Sequence, residues 1–321
     1  LNNIHMKILI NDGLHPAGLQ LLQDAGHDTD TNNIPQDELL TKLNDYDAIL
    51  VRSATKVRRD LMDVAPNLKL VGRGGVGLDN IDLDAAKEKS IAVFNTPAAS
   101  SRSVAELAIG HLFGIVRSLP MVNKAMSLDG VNDFKSLKKE ASKGIELQGK
   151  TLGLIGFGRI GRETASIALG CGMKIIAFDP YTEEGEVTIN LHPDYDTNIK
   201  INVKTISKDE LLSQADFISL HIPGGQGYVL DTEDFAKMKD GVGIVNCARG
   251  GTVSEDAMLK AMDQGKVKYV ATDVFEQEPP VDERILRMDT VGLSPHIGAS
   301  TGEAQKRVGI ELAEKIIDFF K

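Results

Sequence analysis

Short apolar runs alternate with amphipathic stretches along most of this chain. "MKILIND" (Met6–Asp12) predicts a strand, and an amphipathic helix follows near Pro16–Ala25. "YDAILVRSAT" and "LKLVGRGGVG" predict two further buried strands, each ending in polar or glycine-rich turns. "IDLDAAKEKS" predicts a helix capped by Asp82, and "IAVFNTP" a strand stopped by Pro97. "AASSRSVAELAIGHLFGIVRSL" (Ala98–Leu119) reads as a long connector helix. The alternation resumes at Lys150 and continues to about Leu293, and "STGEAQKRVGIELAEKIIDFF" predicts a capped amphipathic helix at the end. Strands alternating with helices imply βαβ units, hence an α/β fold with two doubly wound parallel sheets. The segment beginning "YTEEGEVTINLHPDYDTNIKINVK" (Tyr181–Lys204) departs from the rhythm and reads as a strand-rich insertion.

Composition narrows the function classes. A chain of 321 residues has room for two domains, each with its own core. The net charge of −10 argues against wrapping nucleic acid or lying on an anionic membrane. Any bound anion must therefore meet local cations. No apolar stretch reaches the ~18 residues of a membrane span. The start "LNNIHMKILI" has neither a basic leader nor an apolar core, so no signal peptide is expected, and Met6 reads as the natural start. Cys171 and Cys247 have no metal-like spacing; they fit a reduced, cytoplasmic compartment, and no metal site is expected.

Chemistry concentrates in the second half. "KTLGLIGFGRIGRETASIALGCGMKIIAFDP" holds Gly156, Gly158 and Gly161 in a G-x-G-x-x-G after an apolar strand and before a helix. Gly156 permits the tight turn, Gly158 lets backbone approach a pyrophosphate, and Gly161 lets the helix pack on the sheet. Asp179 ends the next strand about 20 residues on, where an acid meets the ribose hydroxyls and repels a 2′-phosphate. The expected cofactor is NAD rather than NADP. Arg249 follows the strand in "GVGIVNCARGG", Glu278 lies in "ATDVFEQEPP", and His296 in "VGLSPHIGAS". Oxidising an alcohol beside a carboxylate needs a base, a group to orient it, and a cation for the carboxylate and carbonyl oxygen. His296, Glu278 and Arg249 supply these in that order. Other polar residues read more plainly. His111 reads as a packing residue of the connector, and His221 as either core or adenine-side. Arg58 and Arg59 read as a solvated face, and Cys247 as a small buried side chain. Arg52 reads either as a substrate cation or as a solvated strand end.

"GFGRIG", "NCARGG", "DVFEQEPP" and "SPHIGAST" together resemble the NAD-dependent D-2-hydroxyacid dehydrogenase family, over essentially the whole chain. Within it, "ILVRSATKV", "GRGGVGLDNIDLDAA" and "NTPAASSRSVAELAIG" are most similar to the branch acting on D-3-phosphoglycerate at the start of serine biosynthesis. The resemblance implies a Rossmann NAD-binding domain (99–295) inserted in a flavodoxin-like substrate domain (1–98 and 296–321). It also implies a homodimer through the NAD-binding domain. It makes Arg249, Glu278 and His296 catalytic. Arg52, Ser53, Arg73, Gly75 and Val76 would meet a small anionic 2-hydroxy or 2-keto acid, phosphorylated in that branch, with Val76 also beside the nicotinamide. Arg159, Ile160, Asp179, Ile222, Cys247, Ala248, Asp273, Gly298 and Ala299 would line the NAD site. A glyoxylate, hydroxypyruvate or D-lactate reductase stays open as the alternative, as does a non-enzymatic NAD sensor on the same scaffold. "HIPGGQGYVL" lacks the family's usual turn after the histidine–proline, which leaves contacts beyond Pro223 open. The chain ends at Lys321, so the serine-binding domain of longer relatives is not expected.

Overall fold

The computed structural model describes residues 5–192, 194–195 and 197–321. Leu1–Ile4, ahead of the expected start, and Pro193 and Asp196 of the expected insertion lie outside the described residues. The chain opens with β1 (Lys7–Ile10), α1 (Pro16–Asp24), β2 (Asp28–Asp30), α2 (Gln36–Lys42), β3 (Ala48–Val51), α3 (Arg59–Asp63), β4 (Leu70–Arg73), α4 (Leu83–Glu88) and β5 (Ala92–Asn95). Next come α5 (Ser101–Val116) and α6 (Leu119–Ala141), then β6 (Thr151–Ile155), α7 (Arg159–Gly170) and β7 (Lys174–Phe178). The hairpin β8 (Glu184–Asn190) and β9 (Asn198–Lys204) precedes α8 (Lys208–Gln214), β10 (Phe217–Leu220), α9 (Thr232–Lys237) and β11 (Val242–Asn246). The chain closes with α10 (Glu255–Asp263), β12 (Val267–Thr272), α11 (Glu283–Leu286), β13 (Gly292–Leu293) and α12 (Gly302–Phe319).

Two compact units result. One holds the residues up to Ser101 together with Ala299–Lys321, and the other holds Arg102–Gly298. The boundaries expected at 98/99 and 295/296 therefore move three residues along the chain. The shift assigns His296 to the inserted unit, because Asp273 beyond β12 holds the 296–298 backbone there.

The split unit is a parallel sheet in the order β2-β1-β3-β4-β5, the flavodoxin-like arrangement. Its central strand β3 is a continuous apolar run, buried throughout, because helices cover both faces. Ile8, Ile10 and Leu50 pack against Leu312 and Ile316 of α12, which is how the last helix rejoins the first strands. Leu9, Ile49 and Val51 pack on the other face with Leu39, Leu61 and Ala85. Asp82 caps α4 by accepting from Ala85 N at 2.9 Å, and Thr301 caps α12 by accepting from Ala304 N at 3.2 Å.

The inserted unit is a six-stranded parallel sheet, β13-β12-β11-β10-β6-β7. A single parallel bridge from Ala177 of β7 to Thr205 continues the edge. Thr205 thus stands where the third strand of a dinucleotide-binding sheet runs, and the order becomes 3-2-1-4-5-6 with one more strand. The order reverses between β6 and β10, the place where such sheets bind ligands. The expected insertion is an antiparallel hairpin, with Glu184 opposite Lys204 and Asn190 opposite Asn198. Val187 and Val203 join the core, and Ser166 of α7 donates to the Thr188 carbonyl at 2.9 Å.

Three elements depart from the sequence reading. β2 and α2 are short and polar enough to be taken for loop. α6 runs 23 residues and buries none of them, so it carries no core-facing stripe to read. Among the described residues no single helix is long and apolar enough to cross a membrane; α5 and α6 meet that length only together, across a 64° bend.

Candidate active site

His296, Glu278 and Arg249 all leave the carboxyl edge of the inserted unit's sheet. Asp273, one residue beyond β12 and 1% exposed, organises the histidine loop. Its Oδ1 accepts from Ser294 Oγ at 2.6 Å and Ile297 N at 2.8 Å, and its Oδ2 from Gly298 N at 2.8 Å. His296 N donates to the Asp273 carbonyl at 2.8 Å. These bonds hold His296 at φ +53°, a left-handed conformation that non-glycine residues adopt only when their surroundings enforce it. The imidazole Nδ1 then lies 2.7 Å from Glu278 Oε2. An ionised carboxylate only accepts, so Nδ1 carries the proton and Nε2 presents a lone pair. Glu278 Oε1 accepts from Phe275 N at 3.3 Å. An apolar cavity of about 420 Å³ adjoins the pair, lined by Phe275, Pro279, Pro280, Leu286, Leu293 and Pro295.

Arg249 sits just beyond β11. Its carbonyl accepts from Thr252 Oγ1 at 2.7 Å and Asn246 Nδ2 at 3.3 Å, and its own Nη1 donates to the Ala248 carbonyl at 2.7 Å. A Cβ on Gly250 would fall 1.7 Å from the Phe275 carbonyl oxygen, so only glycine lets the arginine loop lie against the glutamate loop. Glu255 and Glu276 tie the same loops: Glu276 Oε1 accepts from Glu255 N at 2.9 Å, and Glu255 Oε1 from Glu276 N at 2.8 Å.

The glycine loop follows β6. Gly156 has φ +96°, and a Cβ there would meet the His221 carbonyl at 2.5 Å. A Cβ on Gly161 would fall 2.3 Å from the Gly156 carbonyl, whereas Gly158 faces open space. Gly158 caps α7 with no side-chain partner, which leaves the first amides of the helix directed outward for a phosphate. Asp179 Oδ2 accepts from Phe157 N at 2.7 Å and Oδ1 from Tyr181 N at 2.9 Å. The carboxylate retains lone pairs for ribose hydroxyls. The loop has the open helix end, the close-packed glycines and the acid that a dinucleotide needs.

Residues 109–298 match the family model described as D-isomer specific 2-hydroxyacid dehydrogenase, NAD binding domain. The chain belongs to the D-isomer specific 2-hydroxyacid dehydrogenase family. It is an NAD-dependent enzyme acting on D-2-hydroxy acids. It is 45% identical over 316 residues to a hydroxypyruvate reductase of Thermotoga maritima, with 97% of each chain covered. It is 43% identical over 313 residues to a D-3-phosphoglycerate dehydrogenase of Methanocaldococcus jannaschii, covering 97% of this chain but 57% of that protein. The NAD+-bound 3-phosphoglycerate dehydrogenase of Entamoeba histolytica superposes with a TM-score of 0.77 at 26% identity, over 99% of this chain and 96% of that one.

The other residues expected at the dehydrogenase's sites fall as follows. Arg159 and Ile160 open α7, and Ile222 Cγ2 borders Gly156. Cys247 and Ala248 are each 6% exposed and pack into opposite faces of the core. Burial pushes the Cys247 thiol up, in keeping with an inert side chain. Gly298 donates to Asp273, and its carbonyl accepts from Ser103 Oγ at 2.7 Å. Ala299 begins the other unit's return, where its carbonyl accepts from Gln305 Nε2 at 2.6 Å.

In the split unit, Arg52 N donates to Asp12 Oδ2 at 2.7 Å, and the Arg52 carbonyl accepts from Asn80 Nδ2 at 2.8 Å, so two polar side chains shape the Arg52–Thr55 turn. Ser53 is exposed on it. Arg73 ends β4, its guanidinium folded against Gly75, and the Val76 carbonyl accepts from Asn95 Nδ2 at 2.6 Å. Among the described residues no cluster could hold a metal ion.

Sequence reasoning missed Asp12, Asn80, Glu255, Glu276 and Ser294. The first four act on backbone distant in sequence and Ser294 on the Asp273 carboxylate, and none carries a local motif. His111 was expected only to pack; its Nε2 lies 2.8 Å from Ser294 Oγ. His221 proves to lie beneath the glycine loop, with Nε2 3.0 Å from Ser219 Oγ and Nδ1 buried without a partner. Burial pushes its imidazole down to about 3.

Proposed function

We propose that the enzyme interconverts D-3-phosphoglycerate and 3-phosphohydroxypyruvate. One observation carries this choice of substrate. Arg52 follows β3 and Arg73 ends β4, with Val51 paired to Arg73, so two cations stand at the carboxyl ends of adjacent parallel strands. They come in addition to Arg249, and a substrate charged at both ends uses such a set.

His296 Nε2 takes the C2 hydroxyl proton in oxidation and returns it in reduction. Glu278 fixes the tautomer that makes this possible and stabilises the imidazolium that forms. Arg249 grips the C1 carboxylate and stabilises charge on the C2 oxygen. Arg52, Ser53, Arg73 and the Gly75–Val76 backbone hold the remaining charged groups. The glycine loop, Asp179 and the backbone at Ile222 and Gly298 hold NAD, which accepts the C2 hydride when bound. The active assembly is a homodimer built on α6, whose apolar side chains are exposed.

Reduction of hydroxypyruvate or glyoxylate is the second reading. It is favoured by the hydroxypyruvate reductase of Thermotoga maritima, 45% identical to this chain against 43% for the phosphoglycerate dehydrogenase. The test is kcat/KM with NADH for 3-phosphohydroxypyruvate, hydroxypyruvate and glyoxylate. A preference for the phosphorylated acid of at least about tenfold, lost in Arg52→Ala, supports the first reading; the scale follows from one charged contact worth about 1.5–3 kcal/mol. Equal or better turnover of hydroxypyruvate establishes the second.

A further inference from the structure

We infer that His111 is a positioning residue for the reaction: through Ser294 and Asp273 it sets the loop that holds His296. His111 lies on α5, far in sequence from the catalytic loop, and its Nε2 is 2.8 Å from Ser294 Oγ. Ser294 Oγ is in turn 2.6 Å from Asp273 Oδ1. Asp273 grips Ile297 N and Gly298 N, and its carbonyl takes His296 N.

The direction of these bonds follows from donor counting. A serine hydroxyl has one proton. Were it given to His111, two oxygens of Ser294 and Asp273 would face each other at 2.6 Å with no hydrogen between them. Ser294 therefore donates to Asp273, and His111 donates from Nε2–H. Ser294 is 9% and Asp273 1% exposed, so water is a poor substitute for either bond. Burial holds the His111 imidazole below its usual range, with the Asp273 charge opposing, and it serves as a neutral donor of fixed tautomer. The side chain is thus matched to a task that an apolar packing residue could not perform.

The inference rests on His296 being the base, and the test separates the two. His111→Leu fills the space and removes the donor; His111→Gln places an amide N–H close to the position of Nε2. His111→Leu is expected to lower kcat roughly 10- to 100-fold, the scale of a small misplacement of a reacting group. KM for NADH should rise by a smaller factor than kcat falls, because Gly298 of the same loop meets NAD while the misplaced histidine carries the chemistry. His111→Gln should recover most of the loss. Ser294→Ala should match His111→Leu, and the double variant should be no worse than either, as for members of one chain of bonds.

Two readouts do not need turnover. The imidazole 15N shifts of His111 should report the Nε2–H tautomer. The amides of Ile297 and Gly298 should exchange at least about tenfold faster in His111→Leu, as expected where a local opening becomes easier. If wild-type protein reduced no 2-keto acid, the functional reading would fall while these two still decided the role of His111. An Nδ1–H tautomer, unchanged exchange, an unaltered kcat, or multiplying losses in the double variant would each overturn the inference.

Discussion

At the scale of single residues, candidates were legible where a side chain is suited to carry charge or a proton, and hidden where it only holds another in place. Arg249, Glu278 and His296 stand beside glycine or proline at strand ends, a setting with little structural use for them. The Glu278–His296 contact at 2.7 Å is the pairing their chemistry anticipates. Removing the base should cost what general-base catalysis contributes, about 10²–10⁴-fold in kcat. His296→Ala is expected to show that loss with NADH affinity nearly intact, measured by fluorescence titration. Glu278→Gln should retain a smaller part of the loss, because an amide can still orient the ring without stabilising the imidazolium. A His296→Ala enzyme turning over within about threefold of wild type would remove the base assignment, since even the low end of that range exceeds it. Asp273 was legible as an acid near the site, but not as the residue that ties down three backbone amides of the histidine loop. Its partners lie more than twenty positions away, and no spacing rule joins them.

At the scale of elements, buried strands were read correctly because both faces demand the same residues: "AILV" and "VGIVN" are buried throughout. α6 was missed for the converse reason, since a helix that buries nothing leaves no 3.6-residue stripe. The turn between β6 and α7 was legible from its glycines, yet what lies beneath it was not. His221 supports that turn as a neutral imidazole, its titration pushed down to about 3 by burial. His27 and His111 are lowered for the same first reason, burial. The sign follows from proton counting. Below the ordinary histidine range the unfolded chain takes up protons that the folded chain refuses, so stability falls as pH drops. For His221 the window opens near 6.5 and closes near 3, with a slope of at most about 1.4 kcal/mol per pH unit. Urea unfolding at pH 7, 6 and 5 is expected to show declining stability, and His221→Asn should flatten the decline without abolishing it. An unchanged slope in that variant would mean that His221 is solvated and protonates freely.

At the scale of the whole molecule, the two-unit plan was legible from where the glycine motif falls: a nucleotide-binding βαβ starting at Lys150 leaves a hundred-odd residues before it to form something else. A homodimer was expected only through family resemblance. The physical case for association comes from α6, which kinks at Asp129 and exposes Leu128 by 78%, Val131 by 93% and Phe134 by 56% about that kink. Apolar strips this open mark an interface in soluble proteins. A second copy fits better than an unlike partner because α6 carries both signs of charge along its length, Lys124, Lys135, Lys138 and Lys139 against Asp129, Asp133 and Glu140. Two such helices related by a two-fold axis can place each sign opposite the other, whereas the −10 net charge disfavours contact between most other faces of two identical chains. Sedimentation velocity at micromolar concentration should therefore show a dimer. Leu128→Glu combined with Val131→Glu should give a monomer with unchanged helix content by circular dichroism, because neither residue supports the core. NADH binding should persist in that monomer, since the glycine loop and Asp179 lie on the sheet edge at β6 and β7, elements distinct from α6. A wild-type monomer, or a dimer that survives both glutamates, would move the interface elsewhere and leave the exposed strip of α6 without a partner.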